Sequence, residues 1–93
     1  MSETNRREAA LKLASIFQAT PPIQLVAIAN ERREELIELM GEEKYKDFAM
    51  RCGMVAIEAT KVRNKPMKEQ IRVGMLRDGF AREIRRLAGE SQS

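Results

Sequence analysis

The chain has 93 residues, a length typical of one domain, and a formal net charge of +3 with 33% charged residues. It contains no His and one Cys, which excludes a zinc site, a Cys-His nucleophile pair and an internal disulfide framework. No apolar run approaches the roughly 18–20 residues that cross a bilayer, and Glu3 and Glu8 are atypical of an export signal. We therefore expect a cytoplasmic protein without a metal, a cofactor, catalytic residues or a membrane partner.

Strong helix formers dominate the sequence, and no window shows the apolar–polar alternation of a strand. This pattern predicts an all-α fold, a small bundle of about four helices. The helices are expected at residues 4–19, 21–40, 42–63 and 66–88 of a single domain that covers 1–93. The ends, 1–4 and 89–93, are expected to be frayed.

The boundary between the first two helices is the segment "ATPPIQ". Proline disfavours helical geometry in the residue before it, so the first helix ends here. Thr20 is placed to cap the second helix, whose first turn accommodates Pro21 and Pro22. The expected apolar line of the first helix is Ala9, Leu13, Ile16 and Phe17.

The second helix is expected to have one apolar and one acidic side and to end at Gly41. At about 100° per residue, the apolar side of this helix consists of Leu25, Val26, Ala29, Leu36, Ile37 and Met40. Its acidic side carries Glu31, Glu34, Glu35 and Glu38. Arg33 falls inside the apolar arc, where it either lays its stem over the core with its head in water or forms a buried ion pair.

The acidic segment "EELIE", residues 34–38, resembles the first half of the metal-binding motif of the all-helical MazG-type nucleotide pyrophosphohydrolases. The resemblance implies a metal-dependent hydrolase. That family also has a Glu and an Asp three residues apart on the following helix. Here Glu58 is followed at that spacing by Lys61, and Glu43 reaches Asp47 at a spacing of four. The alternative interpretation of the segment is a solvated acidic face.

The third helix is predicted to be apolar on two sides and to form the middle of the fold. Its main apolar line is Tyr45, Phe48, Ala49, Cys52, Val55, Ala56, Ala59 and Val62, which makes Cys52 a buried structural thiol. A second strip on the far side consists of Met50, Met54 and Ile57. A helix of this kind is either central to its own bundle or shared with another copy, so we predict a protein interface at the strip.

The last helix follows the turn segment "RNKP" and is expected to pack through Val73, Leu76, Phe80, Ile84 and Leu87. Lys68, Arg72, Arg82 and Arg86 fall within an arc of about 80° on its opposite side. Gly74 and Gly79 each cost about 1 kcal/mol in a helix interior. A break at Gly79 would cut this basic arc in two.

Charge is unevenly distributed along the chain. Residues 1–60 carry 8 basic and 10 acidic groups, whereas residues 61–93 carry 9 basic and 4 acidic groups. This excess predicts phosphate contacts from Lys61, Arg63, Lys65, Lys68, Arg72, Arg82, Arg85 and Arg86. The alternatives are an ordinary solvated surface, or neutralisation of these cations by the acidic second helix.

The sequence favours a small non-enzymatic regulatory or adaptor protein. It is expected to act by helix-mediated protein–protein binding and to self-associate into a homo-oligomer. The alternative is an accessory nucleic-acid-binding protein that uses the basic last helix for phosphate contacts. A more remote alternative is the MazG-like activity that the acidic segment implies.

Overall fold

The structure is a computed structural model that describes residues 3–90, with side chains described for residues 5–89. Within this range it contains helices and short connections but no strand, which confirms the predicted all-α bundle. The elements are α1 (Glu3–Ala19), a 3₁₀ turn (Pro22–Gln24), α2 (Leu25–Glu31), α3 (Arg33–Met40), α4 (Glu42–Lys61) and α5 (Met67–Glu90). Helices therefore include residues 3–4 and 89–90, while the rest of the predicted frayed ends lies outside the described residues.

Three aromatic rings form the centre of the core, and each comes from a different helix. Phe48 of α4 lies edge-on to Phe17 of α1 and to Phe80 of α5, with ring centroids 5.5 and 5.1 Å away. All three side chains are buried. The remaining helices, α2 and α3, both pack on α4. The third predicted helix therefore packs against α2, α3 and α5, but only its main apolar line is covered, so it is not central on both sides as predicted.

The first helix packs along α5 in the antiparallel direction. Near the end of α1, Gln18 accepts a hydrogen bond from Arg85, and the carbonyl of Thr20 accepts one from Arg77. The small residues of the interface let the two helix backbones approach. Its buried line is Ala10, Leu13, Ala14 and Phe17 on α1, facing Ala81, Ile84 and Ala88 on α5.

The predicted apolar line of α1 is wrong by one position at its start, because Ala9 is exposed and Ala10 is buried. Ile16 is only half-buried. Thr20 does not cap the next helix either. Its hydroxyl donates to the carbonyl of Ile16 at 2.7 Å, and the cap position is occupied by Pro21, which has no side-chain bond to make.

The predicted second helix, residues 21–40, is divided in the structure. After the 3₁₀ turn it forms α2 and α3, which are separated at Arg32, where φ is −103° and ψ is 21°. In one straight helix Arg32 would share an arc of about 60° with the buried residues Leu25, Ala29 and Leu36. Burial of an unpaired guanidinium is costly, and the deviation at Arg32 leaves its side chain 35% exposed beside Glu35.

The expected role of Arg33 is also wrong. Arg33 is exposed, and it is the neighbouring Arg32 that lies over the core. The head of Arg32 donates to Glu35 at 3.1 Å, but its Nε is buried without a hydrogen-bond partner. Val26, predicted to pack in the same helix, is 41% exposed.

The last helix runs through Gly74 and Gly79 without a break. Val73, Phe80 and Ile84 are buried as predicted, whereas Leu76 is 44% exposed. The reason lies in the length of α1, which ends beside Arg77. The part of α5 before that point has fewer neighbours, and three further apolar side chains are exposed there: Met67, Ile71 and Met75.

Candidate interaction surfaces

The second apolar strip of α4 lies open on the surface. Met50, Met54 and Ile57 are 61%, 63% and 59% exposed. The opposite side of the helix is buried, because Phe48, Cys52 and other members of the main apolar line face the core. Such an arrangement leaves three large apolar side chains in water with no neighbour from the described part of the chain to cover them.

The strip continues onto α2. Gly53 lies next to the strip, about 40° around α4 from Ile57. A Cβ placed at Gly53 would lie 3.8 Å from Cγ2 of Val26. Val26 is itself exposed, as is Ile23 in the 3₁₀ turn. The sequence pattern predicted Val26 on the apolar side of the second helix and did not connect it with the strip. The signal it lacked was the contact between α2 and α4, which no single-helix pattern contains.

Charged residues stand at both ends of the strip. At 100° per residue, Glu43, Met50, Met54, Ile57 and Lys61 fall within an arc of about 60°, and we call these five residues the α4 face. Glu43 and Lys61 are exposed, and neither forms a salt bridge among the described side chains. The α4 face therefore has an acidic end, an apolar middle and a basic end.

An ion network fixes the side of α4 that meets α5. Arg51 donates to both carboxylate oxygens of Glu83 at 3.0 Å and to Asp47 at 2.8 Å. Its guanidinium also lies 5.7 Å from the ring centroid of Phe48 and 5.8 Å from that of Phe80. The hydrogen bond to Glu83 is the main cause that raises the pKa of Arg51 above its usual value. The network lies at the side of α4 that meets α5 and leaves the α4 face exposed.

The predicted phosphate-contacting residues divide into two groups. Six are exposed and form no salt bridge among the described side chains: Lys61, Arg63, Lys65, Lys68, Arg72 and Arg82. The other two are engaged. Arg85 donates to Oε1 of Gln18 at 2.6 Å, and Arg86, although exposed, also has an interaction partner.

The acidic second helix does not neutralise the basic one in this fold. Glu35 pairs with Arg32 of its own segment, and no salt bridge within residues 5–89 links α3 to α5. The basic arc is not purely polar, however. Met75, which is 63% exposed, lies between Arg72 and Arg82 on the wheel.

Shallow cavities lie beside the helices in the described part of the chain. One, of about 210 Å³, lies between α1 and α3, with Arg6, Glu35 and Glu38 on its rim. Another, of about 380 Å³, lies near the α4–α5 turn, and its lining includes Arg63 and Gln70. Among the side chains that the structure describes, no three His, Cys, Asp or Glu residues are grouped so as to hold a metal ion.

Cys52 is fully buried in the core. Burial raises the pKa of its thiol to about 12, because the thiolate would lose its hydration. The nearby Arg51 acts in the opposite direction with a smaller effect. These properties confirm the predicted burial of this thiol.

The part of the chain at 3–90 contains no helix with the combined length and apolar character that a bilayer crossing needs. Comparisons of the whole chain with protein families, with curated proteins and with solved structures gave no match.

Proposed function

We propose that this chain is a non-enzymatic regulatory or adaptor protein that acts by protein–protein binding through the α4 face, including association with itself. The observation that supports the proposal most directly is the exposure of Met50, Met54 and Ile57, at about 60% each, on a helix whose other side is core. Burying apolar surface against a partner is favourable by about 25 cal/mol per Å². Methionine side chains adapt their shape to a partner surface.

The experiment is light scattering of the full chain over a wide concentration range, with the double variant Met50→Lys, Met54→Lys alongside. We expect the wild type to increase in mass with concentration and the variant to stay monomeric. Met75→Lys is the matched control, because Met75 on α5 is equally exposed but lies outside the α4 face. A wild type that stays monomeric throughout, or a double variant that associates like the wild type, would contradict the proposal.

A second candidate function is accessory nucleic-acid binding through phosphate contacts. It is favoured by the unbroken course of α5 and by six exposed basic side chains without salt bridges in the described part of the chain. If these six all contacted phosphates, affinity for duplex DNA would fall by about 10³-fold between 50 and 200 mM salt. Apolar docking on the α4 face would change little with salt.

The test of this second function is fluorescence anisotropy with a generic DNA duplex. The variant Arg72→Glu, Arg82→Glu should lose binding while self-association persists. Arg33→Glu is the control, since Arg33 is exposed but lies far along the chain from the basic segment. Salt-independent binding, or equal loss in the control, would count against phosphate contacts by this segment.

A further inference from the structure

We infer that the partner of the α4 face is a second copy of this chain, packed with its own α4 in the antiparallel direction. The inference rests on the proposed function and specifies the partner and its orientation. It is drawn from the order of charges along α4, where Glu43 precedes the apolar strip and Lys61 follows it. Both charged residues share one face with the strip.

The direction of packing follows from these charges. A parallel α4–α4 contact would place Glu43 beside Glu43 of the second copy and Lys61 beside Lys61. An antiparallel contact places each Glu43 beside Lys61 of the second copy, so the two ends attract. Like charges across an interface disfavour association, whereas complementary ones fix its orientation.

The register also follows from the positions on α4. Positions 43 and 61 are symmetrical about position 52, and so are positions 50 and 54. An antiparallel contact centred there brings both charged pairs together and places Met50 of each copy against Met54 of the other. The span from 43 to 61 is about 27 Å of helix. One twofold axis therefore pairs the charged ends and the two methionines at once, as an isologous interface requires, and places Ile57 of each copy opposite position 47 of the other.

The neighbouring charges on α4 do not oppose this contact. Asp47, at one edge of the α4 face and opposite Ile57 of the second copy, already has its charge paired with Arg51 at 2.8 Å. Lys46 lies at the other edge and is exposed. Arg51, which pairs with Glu83 of α5, lies about 90° around α4 from the centre of the α4 face, so α5 does not cover that face.

The strip alone is smaller than the roughly 800 Å² per partner of a standard interface, so we expect a weak and reversible dimer. Its dissociation constant is measured by sedimentation equilibrium of the full chain at loadings from about 1 µM to 1 mM. Two charge reversals then test the orientation. Glu43→Lys and Lys61→Glu should each weaken self-association at least about tenfold, because two attractive pairs become two repulsive ones.

The decisive sample is an equimolar mixture of the two variants. In an antiparallel heterodimer, the introduced lysine meets the introduced glutamate of the other variant, and the remaining pair is the native one. The mixture should therefore regain the wild-type association constant. Glu42→Lys and Lys65→Glu are controls with the same changes in net charge, at exposed positions outside the α4 face, and should associate as the wild type does.

The outcomes separate the inference from the proposed function. If the mixture associates no better than the single variants, or the single variants associate as the wild type does, the antiparallel register is wrong. In that case sensitivity to Met50→Lys, Met54→Lys would still support binding through the α4 face. If the wild type stays monomeric or the strip substitutions have no effect, both proposals fail together.

Discussion

Arg51 and Glu83 join α4 to α5 through two hydrogen bonds of 3.0 Å, one to each carboxylate oxygen. The guanidinium also lies near the rings of Phe48 and Phe80, so one side chain connects the ion pair to the aromatic centre of the core. Bidentate geometry makes this pair stronger than a typical surface contact. It is the only salt bridge between two of the bundle's helices within the described side chains.

We expect Arg51→Met to lower the free energy of unfolding by about 1–2 kcal/mol. The side chain of Arg51 is 40% exposed, and solvent screening keeps the effect from being larger. Urea unfolding measures it, with Arg33→Met as the control because Arg33 is exposed. Equal losses in the two variants would mean that the contacts with Glu83 and the rings contribute nothing measurable.

The glycines in α5 offer a prediction of the opposite sign. An added Cβ at Gly74 or Gly79 would meet nothing nearer than a flexible arginine side-chain nitrogen at 3.9 Å. Alanine has a higher helix propensity than glycine by about 1 kcal/mol. Gly74→Ala and Gly79→Ala should therefore each raise the free energy of unfolding by about that amount.

The contrasting variant is Gly41→Ala. Gly41 has φ of +88°, a conformation that alanine rarely adopts, although there is open space around it. This substitution should lower the free energy of unfolding by about 1 kcal/mol. If all three alanine variants shift stability in the same direction in thermal unfolding, backbone conformation does not control these positions.

Local sequence signals predicted the ends of helices well where these ends depend on backbone conformation alone. The break before Pro21 and the end at Gly41 follow from restrictions on φ and ψ. The two-sided character of α4 also follows from its own wheel, and the structure places Met50, Met54 and Ile57 outside and Phe48 inside.

The errors arose where burial depends on a neighbouring helix. Leu76 lies on the apolar side of α5, yet α1 ends before it can cover that position. Ala9 and Ala10 both line the groove beside α3, yet Ala10 alone is buried, in the same line as Leu13 and Phe17. The division of the predicted second helix at Arg32 likewise depends on the core, in which the guanidinium would otherwise be buried. None of these facts is contained in the periodicity of one helix.

The interruption at Arg32 leads to a further prediction. Its Nε is buried without a hydrogen-bond partner, and its ion pair with Glu35 is exposed and therefore weak. Arg32→Leu should raise the free energy of unfolding by about 1 kcal/mol, because an apolar side chain suits the line between Ala29 and Leu36. Arg33→Leu, at an exposed position, should give no gain. A loss of stability in Arg32→Leu, measured by urea unfolding, would show that the arginine is needed where the chain bends.

Burial of Cys52 predicts how stability depends on alkaline pH. The thiol has a pKa of about 12 in the fold against 9.0 for the ordinary group, so the unfolded chain loses this proton first as pH rises. The contribution is fully present below pH 9 and declines as pH rises from there toward about 12, by up to about 1.4 kcal/mol per pH unit. Between pH 8 and pH 10, wild-type stability should fall by about 1 kcal/mol more than that of Cys52→Ala. Every other ionisable group is the same in the two proteins, so the difference isolates the thiol. Parallel pH profiles in urea unfolding, or rapid reaction of the folded protein with a thiol reagent at pH 8, would show that Cys52 is accessible to solvent.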